Sequence, residues 1–428
     1  LVDTFVVGRY CGEIALAAVG SAFSLMILLT SLVLGLCMGS GVVFSQLYGE
    51  GNMDKLKTAM TNAFCLIAAL SLMLTVLSYA LLDAFIVLLR VPPEAVPDIT
   101  SYLRVIFAGI FFTFLYNFFA AALRSVGNSF ASLLFLLLST VVNIALDLLF
   151  VLVLHRGVAG AALATVIAQG LSAAGIALYF FFRLPELRPR RSNFRLDRPL
   201  LSRIASVSVL TSVQQSIMNF GILLVQSLVN SFGVATMAAF AAGVKIDSFA
   251  YSPAQDFANG FATFVAQNTG AGKPERIKPV YRDCILTVLL IGVPMCALLY
   301  FFGQPLLGIY IAKDDPAYAS VIASGMVRVT YMGMTYFVCG IMETCCGMVR
   351  GLGRSWMPMV VTIFGACVLR IIWIYTIFQT HHTLDVLYLS YPVSWVVTSA
   401  VHVLCFVLIY RRMMARWNAH KEEENASY

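Results

Sequence analysis

The chain has 428 residues, of which 60% are hydrophobic and only 11% charged, with a mean hydropathy of +0.87 and a formal net charge of +7. A soluble globular chain carries about 25% charged residues, so this composition excludes one and describes an all-α polytopic membrane protein.

In chain order, the opening LVDTFVVG is apolar but too short to cross about 30 Å of hydrocarbon, and it reads as the end of a first span whose start lies before Leu1. Apolar runs long enough to span follow at 16–46, 58–89, 99–123, 130–154 and 158–182, the second to sixth spans. The seventh to twelfth are read at 203–229, 235–267, 280–303, 320–349, 357–379 and 384–410. Twelve transmembrane helices are therefore expected. No signal peptide is recognisable, because the charged flank that would define one is absent.

The most hydrophilic stretch, RLPELRPRRSNFRLDRPLLSR at 183–203, falls after the sixth span. It divides the chain into an N-lobe (1–183), a basic linker (184–202), a C-lobe (203–412) and a polar tail (413–428). The lobes repeat. CGEIALAAVG at 11–20 matches FGVATMAAFA at 232–241, and SQLYGEGNMDKLK at 45–57 matches AQNTGAGKPERIK at 266–278; ALRSVGNS at 122–129 matches MVRGLGRS at 348–355. Six spans per repeat is an even number, so the halves share one orientation and are related by a pseudo-twofold axis along the membrane normal. Transporters built in this way bind substrate in a central cavity between the two bundles and rock around it.

With the N-terminus inside, the inside connections hold 20 of the 28 Lys and Arg residues, the outside loops four and the spans four. This positive-inside bias puts both termini in the cytoplasm, with the plasma membrane as the expected location, and it accounts for the net charge without a nucleic-acid partner. The ten cysteines contain no CxxC pair, and vicinal Cys345 and Cys346 read as small apolar packing groups, so no disulfide is expected. No HExxH or GxSxG is present, so neither enzymatic activity nor a cofactor is expected.

Within VVNIALDLLF of the fifth span, Asn143 and Asp147 stand four apart and so share one helix face. An ionised side chain in lipid costs at least a few kcal/mol, which makes the pair a functional expectation. The loop motifs GEGN and GAGK place glycine where a helix C-terminus closes through a left-handed residue, and Gln46 and Gln267 before them read as helix-end hydrogen-bonding groups.

The set VDTFVVGRYCGEIALAAVG, SQLYGEGN, LRSVGN, VNIALDLLF, GVAGAALAT and FVAQNTGAGKPERI resembles the multidrug and toxic compound extrusion (MATE) transporters, over nearly the whole chain. The resemblance implies twelve helices in two six-helix lobes and antiport of cationic or amphiphilic drug-like compounds against Na⁺ or H⁺. It also implies an N-lobe cation site at Asp3, Asn143, Asp147 and Thr165. Such an all-oxygen cluster suits Na⁺ or a proton, and two crowded carboxylates in a poorly solvated place need one of them. One branch of the family uses a glutamate in the seventh span; here that region is TSVQQSIMN, with Gln214 and Gln215, so the N-lobe scheme is favoured. Small amphiphilic or cationic substrates and membrane lipid are the expected partners, and the chain is expected to act as a monomer.

The second lobe does not copy this site: at the repeat shift, Asn143 becomes Leu369 and Asp147 becomes Trp373. Its eighth span carries Lys245, Asp247 and Asp256 instead, with an internal Lys245–Asp256 pair expected and Asp247 placed towards the cavity. Arg370 of the eleventh span awaits a partner in Asp247, Asp256 or Glu343. Arg104 and Arg328, at matching positions near the outer ends of the fourth and tenth spans, are read as snorkelling to the interface, and His381 and His382 as solvated loop residues. The alternative function is a lipid-linked oligosaccharide flippase of the same superfamily, which would need a strongly cationic cavity for phosphates.

Overall fold

The computed structural model describes residues 6–7, 13–88, 93–229, 232, 234–310, 316 and 318–426. Among these every regular element is a helix, as an apolar solvent requires of a chain that must satisfy its backbone within each span. Helices α1 (Glu13–Gly49), α2 (Met53–Ala80), α3 (Leu82–Leu88), α4 (Val96–Ser125), α5 (Ser129–Asp147) and α6 (Gly157–Arg183) form the first half. Helices α7 (Arg198–Val229), α8 (Val234–Gly270) and α9 (Ile277–Gly308) follow the linker. The tenth span is split into α10 (Tyr318–Tyr331) and α11 (Tyr336–Gly351), and the eleventh into α12 (Trp356–Thr362), α13 (Leu369–Tyr375) and α14 (Ile377–Thr380); α15 (Leu384–Ala426) ends the chain.

All eleven complete spans read from the sequence are present as helices. Nine stretches among the described residues are both long and apolar enough to cross a bilayer; α7 and α8 have the length, at 32 and 37 residues, but carry more polar side chains. The protein is a multi-pass membrane protein of the all-α class. Of the first twelve residues only Val6 and Val7 are described, both buried.

The chain divides into two compact units, Leu1–Ser216 and Ile217–Tyr428. In the first, α4 is the central helix, packed against α6 and α1. Its core is aromatic: Phe44, Phe114 and Phe118 are buried, Phe64 meets Phe114 and Phe118 at 5.4 and 5.3 Å, and Phe118 meets Phe44 and Phe114 at 5.9 Å, all edge-on or tilted. In the second unit the corresponding helix, α11, packs against α8 and α15. The repeat read from the sequence thus recurs as one packing scheme, in which the fourth span of each half lies against the second and the sixth.

The repeated loop glycines turn the chain alike, with φ of +73° at Gly51 and +64° at Gly272, and of +87° at Gly127 and +80° at Gly353, a region that glycine enters without a Cβ clash. Asn52 and Asn128, each following one of them, accept hydrogen bonds from the Lys55 and Ala131 amides and so start α2 and α5.

Helix α11 approaches α8 closely because Gly347 and Gly351, one turn apart, face its backbone. A Cβ at Gly347 would lie 2.7 Å from the Ala258 carbonyl oxygen, and one at Gly351 2.6 Å from that of Ala262. Without a hydrophobic force between helices in lipid, such small-residue seams carry the packing. Gly351→Val will separate the two helices and cost on the order of 1–3 kcal/mol, seen as a lower unfolding temperature of the detergent-purified protein. Gly260→Ala, where an added Cβ meets nothing within 4 Å, will leave it unchanged.

Candidate cation site in the first unit

Helix α5 shows lipid a face of Phe130, Leu133, Leu137 and Val141, each more than half exposed, and turns Asp147 inward until it is fully buried. Just beyond Asp147 the α-helix widens into a π-helical turn, Leu148–Val153, in which the Leu154 amide donates to the Leu149 carbonyl at 2.9 Å. Single π turns inside α-helices are frequent at functional sites. His155 and Gly157, at φ of 49° and 58°, then reverse the chain into α6. Gly160 lets α6 lie against the π turn, since a Cβ there would sit 3.1 Å from that of Phe150.

That close return sets Thr165, two turns into α6, opposite Asn143. The Asn143 Nδ2 donates to Thr165 Oγ1 at 3.3 Å, and Thr165 Oγ1 donates to the Ala161 carbonyl at 3.1 Å. Asn143, Asp147 and Thr165 are thus carried by two packed helices, with the amide and hydroxyl in contact and the carboxylate one turn further along α5. Their oxygen atoms are the donor type that Na⁺ prefers, and a buried carboxylate is equally a proton acceptor. Asp3, the fourth residue implied by the resemblance, lies outside the described residues.

Sequence reasoning missed Gln169 and Thr113. Thr113 Oγ1 of α4 donates to Gln169 Oε1 at 2.9 Å, and both line a cleft between α1, α4 and α6 that also includes Thr30. The spacing was the available signal, because Gln169 follows Thr165 by four residues as Asp147 follows Asn143. Gln214 and Gln215 are buried in α7, at 2% and 6% exposure.

In the second unit the expected roles need correction. Arg328 does not snorkel. It is buried at 3% exposure, donates from Nε to Asp247 Oδ2 at 3.0 Å and forms the ion pair with the same oxygen through its terminal nitrogen. Its guanidinium lies 4.4 Å from the Phe240 ring centroid, in a space kept open by Gly243, whose Cβ would meet Arg328 Cδ at 2.6 Å. Arg104, at the matching position, is exposed. Asp247 is buried at 8% exposure and serves Arg328, not Lys245 or Arg370.

Arg370 finds no carboxylate among the contacts resolved; its Nε donates to Ser394 Oγ at 2.9 Å and its guanidinium covers the Tyr391 ring at 4.0 Å. Lys245 stands 5.4 Å from the Tyr310 ring centroid, and Asp256 is exposed. Eleven residues of helical rise put Lys245 and Asp256 about 16 Å apart along α8, too far for the direct pair expected from their helical phase. Glu343 is buried and accepts from the Tyr251 hydroxyl at 3.4 Å. At the place matching Asp147, Trp373 Nε1 donates to the Val386 carbonyl at 2.9 Å. His381 and His382 are exposed.

A family model described as MatE matches residues 1–149 and 211–376. The chain is similar to a probable multidrug resistance protein, YoeA, of Bacillus subtilis, at 28% identity over 85% of this chain and 79% of the relative. It is also similar to the FAD transporter of Shewanella oneidensis, at 25% identity over 74% and 70%. Among solved structures, an outward-facing multidrug resistance MATE transporter of the MOP superfamily superposes with a TM-score of 0.89 at 21% identity, over 97% of this chain and 92% of that one. The matched model, the helical architecture and the shared course of the chain agree: the protein belongs to the MATE family of efflux transporters and is not an enzyme.

Proposed function

We propose that the protein is a secondary antiporter of the plasma membrane, with both termini cytoplasmic, that exports cationic or amphiphilic drug-like compounds in exchange for Na⁺ or H⁺. It works as a monomer and by alternating access. The observation that carries this reading is the complete burial of Asp147 one turn from the Asn143–Thr165 contact. A carboxylate in that setting is hard to keep charged, and either Na⁺ or a proton relieves it. With Asp3 as fourth member, entry of the cation neutralises the cluster and changes how the first span packs on α5 and α6; its departure restores the charge. Substrate movement is coupled to that exchange. No separate cofactor takes part.

The lobes divide the labour in this scheme: the first holds the cation, and the second, with Trp373 in place of Asp147, does not. The oligosaccharide flippase reading is weaker, because Arg328 and Arg370 are engaged by Asp247, Ser394 and Tyr391 and so are not an open phosphate-binding set. Gln214, Gln215, Lys245, Asp247, Asp256 and Arg370 are assigned to the substrate path, with Asp247 contributing through its hold on Arg328.

The reading is tested with the full-length protein in vesicles, by following ethidium movement against an imposed Na⁺ or pH gradient. Transport that follows one gradient and collapses with an ionophore specific for that ion is expected. Absence of gradient-dependent movement for any of several cationic dyes would overturn it.

A further inference from the structure

We propose that the arginine-rich segment between α6 and α7 is a docking surface for the anionic phospholipid headgroups of the surrounding bilayer. Residues 183–203 contain seven arginines, no lysine and only two acids, Glu186 and Asp197. Such a segment could be a loose solvated tether, but its backbone is fastened to the first unit. Leu187 and Asn193 are each 1% exposed and Leu200 4%. The Asn193 Nδ2 donates to the Asp54 carboxylate and the Thr58 hydroxyl, both at 3.2 Å, while its Oδ1 accepts from the Arg190 amide at 2.8 Å. The Asn62 Nδ2 donates to the Arg195 carbonyl at 3.0 Å.

What this fastening turns outward is a fixed mixture of charge and apolar surface. Arg183, Arg188, Arg190, Arg191, Arg195 and Arg198 are exposed, and so are Phe194 and Leu196, each at 67%. The lipid-facing surface of α6 runs to Phe182, 72% exposed, and the arginines begin at the next residue. The guanidinium groups are therefore set where hydrocarbon gives way to headgroups. Arginine matches a phosphodiester with a planar two-point fork, which a lysine cluster of equal charge would not supply. Phe194 and Leu196, held out by a pinned backbone, gain by entering the acyl boundary, as apolar residues of interfacial segments do. The polybasic charge and the apolar pair both fit an anionic membrane surface, and exposed Lys55 at the start of α2 adds to the same field.

The test places a reporter at the apolar pair. Phe194→Trp and, separately, Leu196→Trp are made in the full chain and reconstituted in phosphatidylcholine vesicles containing the same fraction of brominated phosphatidylglycerol or brominated phosphatidylcholine. The signal of the four native tryptophans is subtracted using the unsubstituted protein. The added tryptophan should be quenched at least about threefold more by the anionic brominated lipid, and the preference should vanish when Arg188, Arg190 and Arg191 are all changed to Gln. Equal quenching by the two lipids at both reporter positions would overturn the proposal. So would quenching only by aqueous iodide, which would mark a water-facing surface open to a soluble anionic partner.

Discussion

Asp147→Asn is expected to lower cation-driven export at least about tenfold while leaving the amount and stability of the protein nearly unchanged, because the substitution keeps the volume and much of the hydrogen-bonding capacity of the side chain and removes only its charge. The carboxylate is fully buried, so in the proposed scheme neutralising it removes the charge that the coupling cation would balance. A purely structural Asp147, one that hydrogen-bonds a neighbouring helix, would be replaced by Asn with little loss of rate. Initial rates of ethidium export under a fixed gradient, normalised to protein content, separate the two cases. Substrate binding without a gradient should survive the change, since the site lies in the first unit's helix packing and is not assigned to the substrate. An undiminished rate would end the coupling role.

Arg328→Leu should cost about 3–5 kcal/mol of stability, because it strands the Asp247 carboxylate inside the second unit. The pair joins α8 to α10, and the guanidinium is also stacked on Phe240, so its removal leaves both an uncompensated charge and a gap. Arg328→Lys should recover only part of the loss, since a compact ammonium neither forks nor stacks as a guanidinium does. Combining Arg328→Leu with Asp247→Leu should return most of it, as buried ion pairs replaced together by apolar groups often cost little. Unfolding of the wild type, Arg328→Leu, Asp247→Leu and the double variant in detergent gives the coupling energy directly as a double-mutant cycle. Additive losses would show that the two side chains act separately.

The architecture was legible in the sequence because lipid imposes one rule on every span: twenty or so apolar residues, all backbone groups satisfied internally. Each complete span therefore announced itself. The loop glycines were legible for a similar reason, since the GEGN and GAGK repeats both need a residue that tolerates positive φ. Asn143 and Asp147 stood out as polar residues four apart in an apolar run, and their shared face is a property of one helix alone.

Partnerships between helices were not legible. Arg328 and Asp247 are 81 positions apart, and the apparent twin Arg104 invited an interfacial reading that fails for Arg328, which Gly243 admits to the interior. Lys245 and Asp256 show the converse error. Helical phase put them on one side, but axial rise kept them apart. The breaks at Gly333–Thr335 and at Ile363–Val368 left no clear mark either, because mid-span 3₁₀ and π turns depend on neighbouring helices more than on local composition.

The π turn at Leu148–Val153 gives α5 a swivel. It stores one residue more than an α turn, so a slide of that surplus by a single position would turn the side chains it passes by about 100° about the axis. The exchange requires only that one or two amide groups change carbonyl partners. Because this surplus lies in the last turn of the span, beside Asp147 and directly before the reversal at His155 and Gly157, a slide of one position would re-aim the carboxylate's end of the helix and leave its start at Ser129 in place.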